Sequence, residues 1–191
     1  MLQKAVTLHT STEAKEKVFS FSNIFHVVLG SVFLALISQV AVYLPYTPVP
    51  ISMQTFGVLM LVLVQGKTKS IASISLYLVQ ATAGLPVLAG GEVNPAWFLA
   101  PRAGYLVGFL ACAWLSGTML ERRANPSFLW ILLSLTCGHI VTLALGMAWL
   151  STFVGWNNSF ATGVLPFIPG TILKTLAATC ASKPIFWSRK K

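Results

Sequence analysis

Residues 19–44, FSFSNIFHVVLGSVFLALISQVAVYL, contain no Asp, Glu, Lys or Arg. A bilayer core about 30 Å thick is crossed by roughly 20 mostly apolar residues in a helix. This run exceeds that length, and 103–120, 127–153 and 163–187 are comparable. Such runs restrict the chain severely. Backbone groups in hydrocarbon must bond internally, so each run has to become a helix packed against others. Composition agrees: charged residues make up 9% of the 191-residue chain, where soluble proteins carry about 25%.

Between the first two runs lie two shorter ones, 53–65 and 70–83, separated by "QGKTKS". With their polar shoulders, 49–65 and 68–88, they reach spanning length. A re-entrant or tilted hairpin is the alternative. Charge placement favours spanning, because Lys and Arg accumulate on cytoplasmic loops. In a six-span chain Lys4, Lys15, Lys17, Lys67, Lys69, Arg122, Arg123, Lys183, Arg189, Lys190 and Lys191 all fall on one side. Of the thirteen basic residues, only Arg102 on an outer loop and Lys174 within the last span are left over. The expectation is an all-α integral membrane protein of six transmembrane helices, with both termini cytoplasmic. A tail at 1–18 precedes a membrane domain at 19–187, and a basic tail at 188–191 follows. Its place is the cell (inner, cytoplasmic) membrane.

The net charge of +9 does not indicate nucleic acid. The basic residues are sparse and not interleaved with aromatics, so anionic lipid headgroups are their counterpart. Cys112, Cys137 and Cys180 lie far apart in apolar surroundings, which suits packing rather than disulfides or zinc. The N-terminus lacks a signal-peptide pattern, since its apolar run is too long and no small-residue cleavage site follows.

Several chemistries have no motif. "QGKT" at 65–68 imitates the end of a phosphate-binding loop, but Leu61 stands where the first glycine belongs. No nucleophile elbow, zinc-protease helix or dinucleotide fingerprint occurs. Pumps carry intramembrane acids, and the four acids here, Glu13, Glu16, Glu92 and Glu121, avoid the confident spans. His26 and His139 are single helix residues suited to packing or an interhelical hydrogen bond. Neither an enzyme, a cofactor site nor a metal site is expected. A membrane receptor that borrows its energy, or works passively, fits better.

Lys174 is the sharpest candidate. A lysine at the bilayer centre costs about 2.5–3.5 kcal/mol and is by default a functional-site hypothesis. With no intramembrane carboxylate to neutralise it, a ligand carboxylate would serve; the plain alternative is a lysine snorkelling to the interface. Thr171 shares its helix face. The preceding "PFIPG" makes a broken helix start whose free N–H groups also favour an anion. The outer loop 84–105, GLPVLAGGEVNPAWFLAPRAGY, combines apolar walls with Glu92, Asn94, Trp97, Arg102 and Tyr105, the mixture a small-molecule site needs. Asn94 offers donors and an acceptor to a urea or amide. In the first outer loop, "PYTPVP", Tyr46, Pro48 and Pro50 form a rigid extended gate, and Gln54 on the next span can reach inward. Ser31 and Ala35 form a small-xxx-small pair suited to close helix approach.

"PYTPVPISMQTFGVLM", "GLPVLAGG", "APRAGYLVGF" and "PFIPGTILKT" occur in that order over about residues 25–185. Together they resemble the BioY family, the biotin-binding S components of energy-coupling-factor (ECF) transporters. The resemblance implies six membrane helices and a biotin site near the outer face, capped by the first and third outside loops. It also implies partners: a transmembrane coupling protein and two ABC ATPases, although stand-alone action is known in the family. Lys174 matches the lysine of the terminal motif and resembles a biotin contact. Asn94 falls near a ligand-contacting asparagine, Tyr105 matches the tyrosine of "GYL", and Ser31 and Ala35 match the positions at which S components dock their coupling protein. Two departures flank the site. The usual "PGD" is Pro169-Gly170-Thr171 here, and "GPTGGYL" is Ala100-Pro101-Arg102-Ala103-Gly104-Tyr105-Leu106. These changes suggest that Arg102 supplies a second cation for the ligand carboxylate. A receptor for another small vitamin or acid fits the same residues. A membrane enzyme would need convergent acid–base groups, and a structural subunit would not need a lone buried lysine.

Overall fold

The computed structural model describes residues 21–188, with side chains through residue 182. The expected tail 1–18, the start of the first span at 19–20, the side chain of Lys183 and the basic residues 189–191 lie outside that description. The elements run α1 (Phe21–Ser38), β1 (Ala41–Val42), β2 (Ile51–Ser52), α2 (Gln54–Thr82), α3 (Ala103–Glu121), α4 (Phe128–Val154), α5 (Trp156–Gly163) and α6 (Ile168–Ser188). Short 3-10 turns occupy 89–91, 97–99 and 165–167. The protein is all-helical apart from the two-residue strands. Among the described residues, five helical stretches are long and apolar enough to cross a membrane, with α5 and α6 taken together.

The residues expected to form spans two and three make up the two arms of α2, which is one of the five stretches. Gly66 interrupts the helix at φ +75° and ψ −179°, a backbone region that is essentially glycine-only. No atom lies within 4 Å of where a Cβ would stand, so the requirement is conformational rather than steric. Beyond Gly66 the chain turns back. Gln54 Nε2 donates to Tyr77 Oη at 2.5 Å, although 23 residues of straight helix would part them by about 35 Å. Ser73 Oγ donates to Gln65 Oε1 at 2.8 Å across the same bend. The bend carries Lys67, whose ammonium lies 2.9 Å from Glu121 at the end of α3.

The first expected span ends early. The helix stops at Ser38, and Ala41–Val42 pair antiparallel with Ile51–Ser52. Val40, Val42 and Tyr43 suit strands better than helices, and Pro45, Pro48 and Pro50 bar helix beyond them. The apolar run thus divides into a membrane helix and one arm of a hairpin.

Lipid tails are as apolar as leucine, so helices here are held by close packing and hydrogen bonds rather than by expulsion from water. α3 and α4 show this best. Gly146 leaves room for the Tyr105 ring, which a Cβ there would strike. Thr142 Oγ1 donates to Gly108 O at 3.2 Å, and Ser116 Oγ donates to Ser134 O at 2.9 Å. The interior is filled by Leu34, Leu59, Leu63, Ile74, Tyr77, Leu88, Leu106 and Leu135. Phe21, Phe25, Val28, Leu29, Val32 and Leu36 leave one face of α1 apolar and exposed.

Candidate functional site

At the end of the bundle opposite the Lys67–Glu121 pair, a cavity lies under the β1–β2 hairpin. It is lined by Pro50, Ser52, Gln54 and Thr55 from the hairpin and α2, by Arg102, Tyr105 and Phe109, by His139 and Thr142 on α4, and by Phe167, Thr171 and Lys174. Most of its exposed surface is apolar, and polar side chains are set into it, as in small-molecule sites. The cavity leaves about 40 Å³ for the centres of water-sized molecules. One water needs roughly 10–15 Å³, so the space holds a few waters.

Lys174 fastens the hairpin that caps the cavity. Its Nζ donates to Ser52 O at 2.6 Å and to Thr55 Oγ1 at 3.3 Å. No carboxylate pairs with it among the described residues. The chain before it is a 3-10 turn at 165–167, started by Pro166, and α6 begins only at Ile168. The lysine is therefore about 9 Å from the start of α6, closer to the cap than its place in an uninterrupted 163–187 span suggested. It reaches toward that end, and its ammonium meets protein carbonyl and hydroxyl oxygens there.

Neighbouring side chains are held by the fold. Tyr105 donates to Gly163 O at 2.6 Å and stacks on Phe167 at 5.7 Å between ring centroids. Gln54 is nearly buried, accepts from Ser52 Oγ at 2.8 Å and donates to Tyr77, which in turn donates to Val87 O at 2.9 Å. Ser38 Oγ donates to the same carbonyl at 2.5 Å, and Tyr43 Oη donates to Ala89 O at 2.6 Å. The third loop is pinned to α1, α2 and the hairpin through its backbone.

Gln54, Arg102, Tyr105, Thr171, Lys174 and Pro50, all candidates from the sequence, line the cavity. Others do not. Gly90 and Gly91, both at positive φ, turn the loop so that Val87, Leu88 and Ala89 are buried while Val93 is exposed. That turn carries Asn94 away from the cavity; its carbonyl accepts from Trp97 N at 3.1 Å. Trp97 goes into the core instead, where its indole donates to Thr82 Oγ1 at 2.9 Å. Glu92 and Arg102 form a two-pronged ion pair. Arg102, expected as a second cation for the ligand, thus lines the cavity with its charge paired to Glu92. Tyr46 and Pro48 lie exposed on the hairpin.

The small-residue pair on α1 has one buried member. Ser31 is fully buried; its hydroxyl donates to Val28 O at 2.9 Å and accepts from Gln80 Nε2 at 3.3 Å. Ala35 packs against the core. Ser31 thus brings α1 against α2, while Ala35 stays partly exposed. Of the histidines, His139 makes an interhelical contact with Thr175, whereas the His26 ring bonds within its own helix, to Ser22 O. Sequence reasoning did not single out Phe167, Thr142 or Thr55 as cavity residues. An apolar or small polar helix residue looks the same facing lipid, a neighbour or a cavity.

The profile of the BioY family matches residues 10–190. The chain belongs to the BioY family. Relatives include the biotin transporter BioY of Rhizobium etli, 31% identical over 171 residues, covering 83% of this chain and 91% of that protein. The probable biotin transporter BioY of Pyrococcus horikoshii is 35% identical over 153 residues, covering 80% and 90%. Among solved structures, the S component for biotin from an ECF-type ABC transporter superposes with a TM-score of 0.79 at 26% identity, covering 93% of this chain and 94% of that one. This BioY chain thus shares its fold with a biotin S component along almost its whole length.

Proposed function

We propose that this BioY protein binds biotin in the capped cavity and mediates its uptake across the cell membrane. It would act as the substrate-binding component of an ECF-type ABC transporter, or alone. The observation that carries this reading is Lys174, a cation with no carboxylate partner among the described residues, set in the wall of the cavity. A ligand with an apolar body and one carboxylate complements that arrangement, and the names of the relatives and of the structural neighbour supply the ligand's identity.

Counting the arms of α2 separately gives six spans, with the Lys67 bend cytoplasmic and the capped cavity outward. Both termini are then cytoplasmic. Lys174, Thr171, Gln54 and Tyr105 are the proposed ligand contacts, and the hairpin around Pro50 is the proposed gate. The free space of about 40 Å³ is too small for biotin, so the hairpin must move for entry. Asn94, Trp97 and the Glu92–Arg102 pair shape the loop that frames the mouth. A coupling protein and two ABC ATPases would supply the power stroke. Because Ser31 is buried, such a partner would meet the exposed apolar face of α1 beside it. The chain itself performs no catalysis and needs no cofactor.

The test is growth of a biotin-requiring bacterium that lacks its own biotin transporter, on trace biotin. The chain alone, or with ECF partners, should restore growth, and Lys174→Ala should not. No rescue in either arrangement, by a protein shown to reach the membrane, would count against uptake.

A further inference from the structure

His139 lines the cavity and is 2% exposed. Its Nδ1 lies 2.7 Å from Thr175 Oγ1. That hydroxyl has one proton and donates it to Thr171 O at 2.8 Å, the back-bond a helical threonine makes to the carbonyl four residues earlier. Thr175 can therefore only accept from the ring, which puts the imidazole proton on Nδ1. In a neutral imidazole the other nitrogen is then a bare acceptor. Nε2 is buried without a partner. The other buried side-chain atoms without partners among the described residues, Gln80 Oε1 and Thr118 Oγ1, belong to residues that do not line the cavity.

Three other polar side chains of the wall are already engaged. Gln54 is held by Ser52 and Tyr77, Thr142 has Gly108 O and Gly138 O as acceptors for its one proton, and Arg102 pairs with Glu92. An orphaned buried acceptor is costly, and a ligand donor relieves that cost. A carboxylate cannot do so, because it too is acceptor-only. Position matters as well. Lys174 reaches toward the cap at Ser52, whereas His139 is tied to Thr175, one residue farther from the cap along α6.

We infer that His139 is a specificity-determining ligand contact, accepting at Nε2 a hydrogen bond from a ring N–H of the ligand. This inference rests on the biotin reading above. It assigns the ureido N–H, rather than the carboxylate, to the deep end of the cavity, and it makes Thr175 the positioning residue that fixes the tautomer.

The test is titration of biotin and of its two analogues in which one ureido N–H is replaced by oxygen, which keeps ring size and removes one donor. Wild type should bind one analogue about tenfold or more less tightly than biotin, the loss of one well-made hydrogen bond. His139→Phe should abolish that discrimination, and His139→Gln, which keeps an acceptor, should retain part of it. Discrimination that persists unchanged in His139→Phe overturns the inference while leaving biotin binding intact. Should the variants not fold, nitrogen-15 spectra of the wild-type histidine decide. An unprotonated Nε2 that shifts on biotin addition supports the inference, and an Nε2 that carries the proton in the ligand-free protein overturns it. No biotin binding by folded wild type would overturn the function reading and this ligand class with it.

Discussion

A charge in an apolar wall has opposing effects, and Lys174 shows both. Its insertion costs at most about 2.5–3.5 kcal/mol, the value at the bilayer centre, and its two hydrogen bonds to Ser52 and Thr55 each return about 1.5–3 kcal/mol on the scale for charged groups. The opposing terms are of similar size. Lys174→Met should therefore leave the melting temperature of the ligand-free protein almost unchanged but remove the rise that biotin causes, as a thermal-shift assay reads directly. Arg102 is expected to behave differently. Glu92→Gln frees its guanidinium, so affinity for a carboxylate ligand should rise several-fold, about 1 kcal/mol, in a binding titration. No gain, or a loss, would mean that Arg102 faces the loop alone. Lys174 could be read from sequence because a lone cation in an apolar run is a signal carried by one residue. Asn94 could not be placed, because its position depends on how Gly90 and Gly91 turn the loop and on the Glu92–Arg102 pair. Sequence spacing encodes neither.

At the scale of elements, the break in α2 is the most exacting feature. Alanine at position 66 must adopt a backbone region open essentially only to glycine, at a cost of about 1–3 kcal/mol. Gly66→Ala should lower thermal stability by that amount and weaken the Gln54–Tyr77 contact that the folded-back arms share. Unchanged stability would show that the bend does not depend on glycine. The cap gives a kinetic prediction. Pro48→Gly with Pro50→Gly loosens the hairpin's extended arm, and the ordering entropy on binding then rises by about 0.4–1 kcal/mol per site. Biotin dissociation should be several-fold faster in stopped-flow measurements. The membrane helices were legible from apolar length, and the need for a break near "QGKTKS" from charge alternation. The early end of α1 was less so. Hydropathy does not distinguish apolar residues in a membrane helix from apolar residues in a capping strand; only the β-branched run and the prolines hinted at it.

For the whole molecule, the claim is a bundle with a basic end and a ligand-binding end on opposite faces of the membrane. Single cysteines introduced at Thr68 and Val93, in a variant with Cys112, Cys137 and Cys180 replaced by serine or alanine, should differ in intact cells. A membrane-impermeant maleimide should label the Val93 site and spare the Thr68 site, and labelling of both from outside would contradict six spans. The overall architecture follows from composition and charge because a membrane admits few solutions, whereas the cavity depends on packing details such as Tyr105 lying against Gly146. The most direct measurement is calorimetric titration of biotin into the purified, ligand-free protein and its Lys174→Ala variant, with riboflavin as control. One-to-one biotin binding that weakens about 10- to 100-fold in the variant, with no riboflavin binding, is the expected result. Biotin binding of equal strength in both proteins, or none in a folded wild type, would contradict a receptor anchored on Lys174.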